Sequence, residues 1–90
     1  MADYQVKLRN NALNRKWHSL CAELPEQMER LTKYLEESPQ DRLRSNGKLK
    51  KLKGKLKGIL QYDITDRYRV HYRVDVAKRI VYVEYIGQHP

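Results

Sequence analysis

The apolar rhythm of this chain changes at Gly58, from helical spacing before it to strict alternation after it, and that change limits the possible folds most. Leu13, Trp17, Leu20, Cys21 and Leu24 follow one another at intervals of four, three, one and three, which places them on one face of a helix. Pro25 stands where a second helix would start, a position that tolerates proline because its missing N–H has no helical partner there. Met28, Leu31 and Leu35 form the second apolar stripe, and Ser38-Pro39 ends it. So short a joint predicts an antiparallel helical hairpin.

Beyond Gly58, Leu60, Tyr62 and Ile64 alternate with Gln61, Asp63 and Thr65. Tyr68, Val70, Tyr72 and Val74 then alternate with Arg67, Arg69, His71 and Arg73, and Arg79 to Ile86 is almost wholly β-branched or aromatic. This predicts three strands in an antiparallel meander, with tight turns at Thr65-Asp66 and around Asp75 to Lys78. Tyr4 to Leu8 supplies a short first strand. A sheet with one apolar face needs a second layer, which the helices provide. The expectation is one α+β domain over residues 1–90: an antiparallel sheet packed on an N-terminal helical hairpin, in the order β-α-α-β-β-β. A chain of 90 residues encloses little space, so a site should be an open face or groove.

Composition removes several classes of function. No apolar run approaches the roughly 20 residues needed to cross a bilayer, and Met1 to Leu8 lacks the apolar core of a signal peptide. Cys21 is the only cysteine, which rules out an internal disulfide and fits a reducing cytoplasm. His18 and Cys21 lie three apart on a helix, but without a second Cys or a His cluster no metal site is expected, and no cofactor is. Glycine-rich phosphate loops, serine-nucleophile motifs and paired carboxylates are all absent. Trp17 and Tyr34 read as packing.

Charge points toward a polyanion. The net charge is +8, and Arg42 to Lys57 holds eight bases and no acid, while the rest of the chain balances eleven bases against eleven acids. Such a segment is the footprint of a nucleic-acid binder, or else a solvated lysine-rich loop. On the strand that follows, Arg67, Arg69, His71 and Arg73 share one face. Guanidinium groups in a row can hold phosphate oxygens in pairs. The alternative is a solvated face with cross-strand partners such as Asp63 or Glu84.

Three stretches together resemble the RelE/ParE toxin superfamily. They are Leu52-Lys53-Gly54-Lys55-Leu56-Lys57-Gly58, the run from Tyr62 to Asp75 that includes Tyr68-Arg69-Val70-His71-Tyr72, and Val81 to His89 with its Ile86-Gly87-Gln88-His89 ending. In that family a Leu-x-Gly turn enters the sheet, a Tyr-Arg-x-x-Tyr strand follows, and the last strand ends in Ile-Gly-x-basic. The match covers about the last 40 residues.

The resemblance implies the toxin of a type II toxin–antitoxin system: a ribosome-dependent endoribonuclease that cuts mRNA without a metal, the RNA's own 2′-OH attacking the adjacent phosphate. Arg69 matches the family's phosphate-stabilising arginine, and His89 the basic position that acts as general acid in some members. Asp63 stands where ribosome-dependent members usually carry Lys, Arg or His, and could serve as the base. Lys53, Lys55 and Lys57 fall in the family's basic approach, with Arg67, His71 and Arg73 beside them as RNA-binding groups. The implied partners are a protein antitoxin, in a toxin–antitoxin hetero-oligomer, together with the ribosome and mRNA, and no membrane. The ParE branch, which inhibits DNA gyrase without this catalytic set, is the alternative, as is a weakened member that only binds nucleic acid.

Overall fold

The computed structural model describes residues 3–56 and 58–88. Asn10 starts the first helix, its side-chain oxygen accepting the Leu13 N–H at 2.9 Å, so that one otherwise orphaned donor of the first turn is satisfied. Helix α1 runs Asn11–Glu23 and α2 runs Pro25–Glu37, with Leu24 alone between them. The apolar stripes face inward as the spacing predicts, and Leu20, Met28, Leu31 and Leu35 are buried against the sheet.

Five strands form that sheet: β1 (Gln5–Leu8), β2 (Leu49–Lys51), β3 (Leu60–Asp63), β4 (Tyr68–Asp75) and β5 (Ile80–Gln88), in the spatial order β1-β5-β4-β3-β2. The expected meander is β3-β4-β5. Thr65 Oγ1 closes its first turn by accepting the N–H groups of Arg67 and Tyr68, both at 3.1 Å. Asp75 Oδ1 closes the second by accepting the Lys78 N–H at 3.0 Å. Arg79, expected as the first residue of the last strand, has φ +57° and belongs to that turn.

Two features depart from an antiparallel four-strand sheet. β1 pairs with β5 in parallel, so the sheet is mixed. Alternation along a strand records which residues face the core but not the direction of a partner, and only strands joined by a tight turn are obliged to run antiparallel. The second departure is β2, three residues from the middle of the basic run, paired with β3 at the sheet edge. Leu49 is its single buried residue, while Lys50 and Lys51 stay exposed. Lysine on a short edge strand hinders pairing with other chains, and the same lysines hide the strand in the sequence.

Val70, Tyr72, Val81 and Val83 are fully buried between the sheet and the helices. Two tyrosines tie the connection from α2 to β2 onto this core. Tyr72 donates its hydroxyl to the Pro39 carbonyl at 2.6 Å, and Tyr34 donates to the Asp41 carbonyl at 2.8 Å. The helices cover one face only, which leaves the other face open.

Candidate active site on the open face of the sheet

Cross-strand pairing sorts the open face into three rows. The first is Asp63, Arg69 and Gly87; the second is Lys50, Gln61, His71 and Tyr85; the third is Arg73, Tyr82 and Lys7. The rows are not evenly spaced, because β5 carries one residue more than β4 opposite it. His71 faces Tyr85 while Tyr72 faces Val83, so Glu84 has no partner in the ladder. Val83 and Ile86 both point into the core, and the bulge turns both Glu84 and Tyr85 to the open side.

Those two side chains shape the face. Glu84 accepts from Arg73 Nε at 2.9 Å and from its terminal nitrogen at 2.7 Å, and lies 3.6 Å from Arg9. Tyr85 folds back over the strand. A Cβ at Gly87 would lie 2.6 Å from its Cζ, so this site in the strand accepts only glycine while the ring lies there. The Tyr85 ring centroid is 5.2 Å from that of His71. Lys7, Arg9, Lys55, Ile59, His71, Arg73, Tyr82, Glu84 and Tyr85 enclose an open cleft of about 800 Å³.

A chain of polar contacts crosses the second row. Lys50 Nζ is 3.1 Å from Asp63 Oδ2, Gln61 Nε2 donates to Asp63 Oδ1 at 2.9 Å, and Gln61 Oε1 is 3.1 Å from His71 Nε2. Gln61 is 6% exposed, although it sits on the uncovered face. Burial, aided by the positive charge of Arg69, pushes the His71 pKa below its ordinary value of 6.5, so the ring is neutral at pH 7. Arg69 itself makes no ion pair among the described residues, and its Nε is shielded from solvent without an acceptor.

Of the residues singled out in the sequence, Asp63, Arg69, His71 and Arg73 come together here. Arg73 is held by Glu84, the cross-strand partner named as an alternative to phosphate. Arg67 is not in their row: it precedes β4, in the turn, and is exposed. Lys53 is exposed between β2 and the single 3₁₀ turn Gly54–Leu56, and Lys55 within that turn lines the cleft. Lys57 and His89 lie outside the described residues. Gln61, Tyr85, Gly87 and Lys50 were not picked out as site residues. The adjacent polar pair Glu84-Tyr85 within an apolar strand is the one signal that could have revealed the bulge. Among the described residues no three His, Cys, Asp or Glu side chains gather as metal ligands would.

No family model and no curated protein matches the chain. Solved structures do. The toxin–antitoxin complex RelBE2 from Mycobacterium tuberculosis matches with a TM-score of 0.58 and 22% identity, over 97% of this chain and 99% of that one. The heterotetrameric YoeB–YefM toxin–antitoxin complex from Staphylococcus aureus matches with a TM-score of 0.67 and 17% identity, over 99% of this chain and 100% of that one. For the YoeB/ParE toxin from Agrobacterium tumefaciens the values are 0.66 and 17%, over 96% and 99%. Two of these are toxin–antitoxin complexes and the third is a toxin, and the chain has their α+β fold along nearly its whole length.

Proposed function

We propose that this chain is the toxin of a type II toxin–antitoxin pair and that it cleaves mRNA on the ribosome, the RNA's 2′-OH attacking the adjacent phosphate. One observation carries the reading: Arg69, on the open face two residues along β4 from the cleft residue His71, makes no ion pair among the described residues. A phosphate satisfies such a guanidinium in pairwise fashion, and charge developing on its oxygens is what the reaction must stabilise. Lys55, which lines the cleft, and the exposed Lys53 and Arg67 suit contacts with the RNA backbone. His89 is assigned the general acid by the resemblance. The fold's neighbours are toxins in complexes with antitoxins, which supports a protein antitoxin for this chain, an acidic amphipathic segment that covers the cationic face. No helix among the described residues is long and apolar enough to cross a membrane.

Primer extension on translated mRNA after brief expression tests the reading. Discrete cuts within translated codons, lost in Arg69→Ala, are the expected result. Gyrase-linked DNA breaks with intact mRNA would instead assign the chain to a toxin that acts on gyrase.

A further inference from the structure

The reaction needs a group that takes the proton from the attacking 2′-OH, and the geometry of the second row identifies one. A carboxylate only accepts hydrogen bonds, so the Gln61 group facing Asp63 must be its NH₂. That fixes the amide, and the oxygen is then the atom turned to His71. An amide oxygen also only accepts, so His71 Nε2 carries the hydrogen and Nδ1 carries the lone pair. Lys50 holds the far end of the chain by its contact with Asp63. Polarity is thus set from Lys50 on the edge strand β2 to His71 on the central strand β4, and among the described residues no group donates to Nδ1.

We propose that His71 is the general base for cleavage, its Nδ1 taking the 2′-OH proton, with Gln61 and Asp63 as positioning residues that hold the ring in this tautomer. The inference rests on the nuclease reading above. Nδ1 accepts the proton as the 2′-oxygen bonds to phosphorus, and the bond from phosphorus to the 5′-oxygen breaks. The products are a 2′,3′-cyclic phosphate and a 5′-alcohol, the leaving oxygen being protonated by the general acid, the role proposed for His89. His71 and Arg69 lie two residues apart on one strand face, about 7 Å along the strand, so one phosphate and its ribose can address both. Asp63 is less suited to be the base: one oxygen accepts from Gln61 and the other lies against Lys50. The neutral state of the ring at pH 7 supports the assignment.

Ribosome-bound mRNA with an ordinary 5′-oxygen or a 5′-sulfur at the cut site distinguishes base from acid, because a thiolate leaves without a proton. His71→Ala should slow cleavage about 10²–10⁴-fold on both substrates, the scale typical of a lost general base. His89→Ala should be slow only on the oxygen substrate. A His71→Ala rate within about tenfold of wild type, or one restored by sulfur, overturns the assignment.

The relay has its own test. Gln61→Glu alone sets two carboxylates against each other and should cripple cleavage. Adding Asp63→Asn restores a donor facing an acceptor and should return most of the rate. Failure of this rescue in a folded double variant overturns the positioning role, and it decides the matter alone should His71→Ala not fold. If the wild-type chain cuts neither substrate, the nuclease reading itself falls, and the base assignment with it.

Discussion

At the scale of single residues, the open face sets stability against function. Arg69 keeps a donor nitrogen away from both solvent and any described acceptor, a condition that typically costs about 1–3 kcal/mol. Arg69→Met should therefore raise stability by about 1 kcal/mol, or roughly 4–8 °C in melting temperature for a domain of this size, while abolishing toxicity. A thermal melt beside a growth assay checks both, and a drop in melting temperature would show that the guanidinium contributes to folding. Asp63 gives the complementary control. Asp63→Asn keeps an oxygen that can accept from Gln61, so its cost should stay below about tenfold, against 10²–10⁴ for loss of a true base in the same cleavage assay. Arg69 was legible in the sequence because alternation assigns a face. The roles of Gln61 and Tyr85 were not, because they depend on which residue stands opposite on the next strand, and strand register is not written in any one strand.

Elements repeat the lesson on a larger scale. The two helices and the β3-β4-β5 meander follow from apolar spacing, which reports burial directly. β2 does not, since a single inward leucine gives no period and its lysines read as loop. The bulge in β5 leaves only a break in alternation, although it places the wall of the cleft. Gly87→Ala tests that wall. Its methyl would displace the far end of the Tyr85 ring, so stability should change by less than about 1 kcal/mol while cleavage falls at least tenfold. Equal losses in both would make the glycine merely structural. The layer beneath should govern alkaline stability. Burial pushes Tyr34 up to about 12 and raises Tyr62 and Tyr72 as well. The folded state keeps these protons where the unfolded chain, with tyrosines near 10, has lost them. Stability is therefore fully present below pH 10 and is lost as pH climbs toward 12 and beyond. Denaturant melts from pH 8 to pH 11 should show that decline, and Tyr34→Phe should make it shallower.

For the whole molecule, the excess positive charge divides into paired and unpaired parts. Glu37 holds Arg44, Asp63 holds Lys50 and Glu84 holds Arg73, whereas Lys53 and Lys55 have no ion pair among the described residues. Replacing Lys53 and Lys55 with Gln should weaken RNA binding and reduce the slope of log affinity against log salt by about 1–2, as fewer counterions are released. An unchanged slope in a salt titration would return these lysines to the solvated surface. The total charge was legible from composition, but its division was not, because each pairing joins different strands or a helix and a loop. The parallel pairing of β1 with β5 has a consequence for how such a protein comes into being. Lys7 and Arg9, early in the sequence, stand beside Tyr82, Glu84 and Tyr85, late in it, and the cleft needs both. A nascent chain that has completed only its first four strands therefore carries an unfinished cleft, which closes only when β5 emerges.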